Sequence, residues 1–179
     1  MPSPRGIFRL KQVYEEQLSN NWSVKSDVWL STPQGFINFG SGAVATPNTG
    51  YFGGGDGYTT VDRIDYSNDT ATASPKGPLS LARRDFAATG NSSYGYFGGG
   101  RPGYSRVDRI DYSNDTATAV AKGPLSAGRG YLAATGNSSY GYFGGGWAPG
   151  FRSTVDRIDY SNDTATAVAK GPLSVTILS

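Results

Sequence analysis

A chain of 179 residues with 37 % apolar content has the material for one folded domain and a short extension. Its 16 basic and 14 acidic residues leave a net charge of +2 and are spread without blocks, so the sequence carries neither a nucleic-acid footprint nor a polybasic membrane patch. The lack of Cys and His removes disulfides, thiolate nucleophiles, the usual zinc sites and histidine general bases together, and leaves the compartment open.

In chain order, Met1 to Leu10 has charges but no apolar stretch behind them, and no later run approaches the roughly 18 apolar residues of a membrane span. Neither a Sec signal nor membrane insertion is expected. Ile7, Leu10, Tyr14 and Leu18 fall at i, i+3, i+7 and i+11, one stripe of a short helix, and with Trp22 they make residues 1–32 an N-terminal anchor segment. Such a stripe packs on its own domain or on a partner. Residues 33–49, rich in Pro, Gly, Ser, Thr and Asn, read as a linker.

From residue 50 the chain repeats. Val-Asp-Arg-Ile-Asp-Tyr-Ser-Asn-Asp-Thr-Ala-Thr-Ala begins unchanged at Val61, Val107 and Val155, spacings of 46 and 48, and Gly-Tyr-Phe-Gly-Gly-Gly begins at Gly50, Gly95 and Gly141. This divides residues 50–179 into units 50–94, 95–140 and 141–179. Within one unit, Ala133 to Thr135 reads as a strand, 136–139 as a turn, and Tyr140 to Phe143 as an aromatic strand stopped by three glycines. Thr154 to Tyr160 is a third strand, Ser161-Asn162-Asp163 a polar turn and Thr164 to Val168 a fourth. Helical repeats are excluded, because each unit holds several glycines and a proline and no apolar stripe of helical period. The fold class is therefore all-β, with three four-stranded meanders that must stack to bury Phe143, Ile158, Tyr160 and their equivalents.

The residues Tyr96-Phe97-Gly98-Gly99, the strand Val107 to Tyr112, and Gly77-Pro78-Leu79 leading to Arg83, with Gly123-Pro124-Leu125 leading to Arg129, resemble the kelch repeat. The resemblance covers residues 50–174 and implies β-propeller blades. Where kelch units place a Trp after the polar turn, this chain has Thr-Ala-Thr-Ala, so the usual aromatic anchor between blades is missing. Three units, the first without an obvious opening strand, fall short of the four or more blades of propellers. Completion by oligomerisation is expected, with a terminal strand closing a neighbour's sheet, or a longer-repeat family, as alternatives. The segment Gly6 to Gln17, followed by Asn21-Trp22, together with the near-identical repeats, resembles virion structural proteins of marine tailed bacteriophages.

The carboxylates Asp62, Asp65 and Asp69 recur as Asp108, Asp111, Asp115 and as Asp156, Asp159, Asp163. Three equal copies point to a structural role rather than to a catalytic pair held in unequal environments. Turn hydrogen bonds for Asp69 and an Asp bond to Arg63 or its equivalents are the expected tasks. Calcium is the alternative, as hard oxygen ligands are present, although the spacing lacks an EF-hand or RTX pattern. The Gly-Gly-Gly runs are followed by no Gly-Lys-Ser/Thr, which argues against a phosphate cradle. The Asn-x-Ser/Thr sites, Asn91 and Asn137 among them, read as turn asparagines.

The connection after Gly-Gly-Gly varies in length while the rest keeps its spacing, so recognition is expected there: Tyr58; Arg101 and Tyr104; Trp147, Phe151 and Arg152. Exposed aromatics beside Arg suit sugar or protein contact, the alternative being that they cover blade edges. No catalytic residue, metal ligand or cofactor is assigned. The expected function is that of a virion structural protein, made in the host cytoplasm, in a tail fibre, tail appendage or capsid surface. Its partners would be other virion proteins, copies of itself, and a host-surface glycan or protein met by the loops. A cellular kelch-type protein-interaction module is the runner-up, and an enzyme built on a propeller the third reading.

Overall fold

The computed structural model describes the strands Val28–Thr32 and Gly35–Phe39, residues 48–55 and residues 57–176. The chain divides into two units, Met1–Ala45 and Thr46–Ser179. In the first, β1 (Val28–Thr32) and β2 (Gly35–Phe39) pair antiparallel, with Val28 opposite Phe39 and Thr32 opposite Gly35. Part of the stretch read as a linker is thus a strand. Phe36, Ile37 and Phe39 have the aromatic and β-branched character that favours a pleated pair, which the surrounding Pro, Ser and Thr obscure. The helical anchor expected on Ile7, Leu10, Tyr14, Leu18 and Trp22 lies outside the described residues.

The second unit holds three antiparallel sheets, each a meander in chain order. The first comprises β3 (Thr49–Gly53), β4 (Val61–Asp65) and β5 (Ser74–Lys76). The second has β6 (Ala87–Gly90), β7 (Tyr94–Gly98), β8 (Val107–Asp111) and β9 (Val120–Lys122). In the third are β10 (Ala133–Gly136), β11 (Tyr140–Gly144), β12 (Val155–Asp159) and β13 (Val168–Lys170). The architecture is all-β; among the described residues the helical elements are single 3-10 turns, and no helix is long and apolar enough to cross a membrane.

Two details differ from the sequence expectation. Strands β6 and β10 open their sheets ahead of the repeat borders drawn at Gly95 and Gly141. The last strand of the third sheet is Val168–Lys170, not Thr164 to Val168. After the 3-10 turn Tyr160–Asn162 the backbone keeps turning, and the Ala167 amide donates to the Pro124 carbonyl of the preceding repeat at 2.8 Å. Those residues bridge two sheets instead of extending one.

The period-2 alternation of the strands explains the stacking. On the second sheet one face carries Tyr96 opposite Arg109 and Gly98 opposite Val107, while the other carries Phe97 opposite Asp108. Phe97 and Ile110 pack with Val61 and Leu79 between the first and second sheets. Phe143 and Ile158 pack with Tyr96, Val107 and Leu125 between the second and third. Each buried Phe contributes about 1.5–3 kcal/mol. The rings need glycine opposite them: a Cβ at Gly98 would lie 2.6 Å from the Phe143 ring. Past the aromatic strand, Gly99 and Gly145 take φ of +77° and +69°, a left-handed conformation open to glycine that turns the chain into its loop.

Candidate functional site

The aspartates are joints between sheets. Asp108 is fully buried and accepts from the Arg83 guanidinium at 2.8 Å, and Asp156 accepts from Arg129 at 2.9 Å. Ser80 and Ser126 add hydroxyl and amide donors to the same carboxylates. Arg129 also donates to the carbonyls of Phe143 and Gly145 at 3.1 and 3.0 Å, so the pair is locked into backbone.

A second joint lies further along each sheet. Asp115 accepts from Tyr51 Oη at 3.0 Å and Arg63 at 2.6 Å, with Lys76 Nζ 3.5 Å away. Asp163 repeats this with Tyr96 at 2.9 Å, Arg109 at 2.7 Å and Lys122 at 3.2 Å. The carboxylate thus comes from one sheet and its three donors from the sheet before it. Burial, then the bond to Asp163, raises the Tyr96 hydroxyl pKa well above the ordinary phenol range.

These contacts redistribute the roles expected of the aspartates. The turn bonds belong to Asp65, Asp111 and Asp159, whose carboxylates accept from the Ser hydroxyl and amide two residues on. Those bonds hold all three carboxyls below the usual range. The counterparts of Asp69, by contrast, reach across to the neighbouring sheet. Asn91 and Asn137 do serve turns, each side-chain oxygen accepting two backbone amides at 2.8–2.9 Å. Among the described residues no three His, Cys, Asp or Glu side chains gather where they could hold a metal.

The varying connections lie along one edge, knitted to the segments that link consecutive sheets. Arg101 and Arg84 meet through an amide-to-carbonyl bond of 2.8 Å, Trp147 and Gly130 exchange bonds of 2.8 and 3.1 Å, and the Tyr131 amide donates to the Asp85 carbonyl at 2.7 Å. There Arg101, Tyr131, Trp147 and Phe151 line an open cleft of about 230 Å³. The Arg101 guanidinium donates to Tyr131 Oη at 2.8 Å and lies over its ring, 5.6 Å from the centroid. The backbones of Trp147 and Phe151 form an isolated antiparallel bridge, and both side chains remain exposed. On its other side Arg101 borders a second cleft of about 260 Å³ together with Arg84 and Pro102.

Three of the six loop residues singled out from the sequence, Arg101, Trp147 and Phe151, therefore meet in one cleft. The other three do not line it. Tyr58 is exposed on the first sheet's loop, and Tyr104 is half-buried, its amide donating to the Gly100 carbonyl and its carbonyl accepting from the Arg129 amide. Arg152 closes its own loop by donating to the Ala148 carbonyl at 2.6 and 3.0 Å. Sequence reasoning missed Tyr131, which belongs to a segment taken as constant. The signal was present: Arg83-Arg84-Asp85-Phe86 in one repeat is Arg129-Gly130-Tyr131-Leu132 in the next. Tyr131 and Asp85 both hold left-handed backbone, φ +57° and +56°, an uncommon conformation for such residues that fixes where the ring points.

No protein-family model matches the chain, and no curated protein matches it. Among solved structures it is similar to that of YjhT, with 12 % sequence identity and a TM-score of 0.59 over 71 % of this chain. The match takes in 49 % of that structure, so this chain spans about half its length, and at this identity the likeness concerns the fold alone.

Proposed function

We propose that the stacked sheets are blades of a β-propeller-type, non-enzymatic display module, and that the loop edge binds a surface glycan. The observation that carries the reading is the cleft of Arg101, Tyr131, Trp147 and Phe151. Exposed aromatic rings offer flat apolar faces to the C–H side of a sugar, and a guanidinium at the same cleft offers donors to its oxygens. The volume suits one or two sugar residues rather than a protein surface. Four of the repeated carboxylates are committed to structure: Asp108, Asp115, Asp156 and Asp163 all hold arginines. The resemblance of Gly6 to Gln17 to phage virion proteins supports carriage on a virus particle, with the N-terminal segment as attachment.

The test is a glycan array probed with the full chain beside its Trp147→Ala variant. Retention of a defined set of glycans is expected, weakened at least about tenfold by the substitution, which corresponds to about 1.4 kcal/mol. Absence of any retained glycan, or equal binding by Trp147→Ala, overturns the reading; the chain's absence from purified particles overturns its assignment to a virion.

A further inference from the structure

The contacts that join one sheet to the next leave the two ends of the stack complementary. On the outer face of the third sheet stand Tyr142, Arg157 and Lys170, counterparts of the Tyr96, Arg109 and Lys122 that grip Asp163. Among the described residues these three share no carboxylate: Arg157 makes no ion pair, its Nε is buried without a partner, and its guanidinium rests 4.4 Å from the Tyr140 ring centroid. The matching carboxylate at the other end, Asp69, is exposed, whereas Asp115 and Asp163 are 8 % and 7 % accessible.

The apolar contacts carry the same mismatch of ends. Phe97 and Phe143 are 3 % and 0 % accessible over Gly53 and Gly98, but Phe52 is 64 % accessible, and no Phe faces Gly144. Tyr51 stacks on Tyr112 at 4.9 Å and Tyr96 on Tyr160 at 4.7 Å, which leaves Tyr66 and Tyr142 without their stacking partners. A Cβ at Gly77 or Gly123 would meet a carbonyl of the following sheet, while one at Gly171 meets nothing within 4 Å.

We propose that a second copy of this chain docks head to tail on the third sheet, its Asp69, Tyr66 and Phe52 entering the sites formed by Arg157 with Lys170, Tyr142 and Gly144. The inference goes beyond the glycan reading, since it uses the sheet faces and not the loop edge. Charge, ring stacking and knob-on-glycine packing each match across the junction, and the contact continues an interface the molecule already builds twice. It is heterologous, so it closes into a ring or extends into a row according to the rotation between sheets. One element is lacking. The fourth residue after Leu173 is Ile177 where the earlier repeats have Arg83 and Arg129, so the junction has no counterpart of the Arg83–Asp108 pair and is weaker than the internal ones.

Light scattering on the full chain across a concentration series tests this. Wild type is expected to associate. Asp69→Arg and Arg157→Asp, each alone, are expected to weaken association more than about 30-fold, and an equimolar mixture of the two restores it because each repairs the other's face. Gly171→Val, whose side chain enters space open in the single chain, is expected to give a monomer with an unchanged circular dichroism spectrum; it carries the test if a charge variant fails to fold. A wild-type monomer at every concentration, association of Gly171→Val equal to wild type, or a mixture of folded charge variants that stays monomeric overturns the proposal. Glycan retention by a monomeric variant is read separately, so either inference can fail without the other.

Discussion

Arg129 illustrates how much of this molecule depends on single buried charges. Its guanidinium is nearly inaccessible and is shared between the Asp156 carboxylate and the carbonyls of Phe143 and Gly145. Removing the cation leaves a carboxylate desolvated and unpaired, which is the expensive way to break such a pair. Arg129→Met is expected to lower unfolding stability by about 3–5 kcal/mol. Arg129→Lys should fall between, because an ammonium supplies a charge but not the planar fork that reaches two carbonyls as well. Urea denaturation checks both, and an Arg129→Met midpoint equal to wild type would show the pair to be dispensable. The arginine was legible, as the end of Pro-Leu-x-x-x-Arg; its partner was not. The expected Asp bond to Arg63 and its equivalent is present, to Asp115 and Asp163; a strand residue's face follows from alternation, but the sheet it faces depends on stacking order, so which Asp each Arg meets was not legible.

At the level of strands and turns, the repeat made the meanders legible, and the aromatic strands fall where Tyr140 to Phe143 and its copies put them. What escaped was the stretch after the 3-10 turn, where the threonines of Thr-Ala-Thr-Ala favour a strand but the segment is drawn into bonds with the neighbouring repeat. Stacked tyrosines, Tyr51 on Tyr112 and Tyr96 on Tyr160, occupy the space between sheets. This stacking has a consequence at high pH. Burial, followed by the charges of the neighbouring tyrosines, pushes the Tyr112 hydroxyl up to about 12. A folded-state pKa above the unfolded value of about 10 means that the unfolded chain releases its proton first. The contribution is complete below pH about 10 and is lost as pH rises towards about 12. Tyrosinate absorbance from Tyr112 is therefore expected to appear together with loss of the β circular dichroism signal, and Tyr112→Phe, which keeps the stack but cannot ionise, should shift that loss to higher pH. Titration of all 12 tyrosines with the fold intact would contradict the account.

For the stack of sheets as a whole, stability follows from neighbours. Each meander is too small to bury its own faces, so its free energy is an intrinsic part plus one term for each sheet beside it. The middle sheet has two such terms and the outer sheets one each. Burial follows this: Gly95–Gly98 on β7 is buried throughout, β3 is mostly half-buried, and β13 is exposed along its length. Hydrogen exchange should therefore be slowest in Tyr94–Gly98 and Val107–Asp111, and faster in both outer sheets, because local opening of an end breaks one interface and opening of the middle breaks two. Protein concentration separates the internal terms from the junction between copies. Raising it should leave the middle sheet unchanged and slow exchange in β3, β4, β11 and β12, whose outer faces become interior when copies dock. Uniform protection across all three sheets in dilute solution would mean that the stack opens only as one unit, and the nearest-neighbour account would fail even if the copies associate.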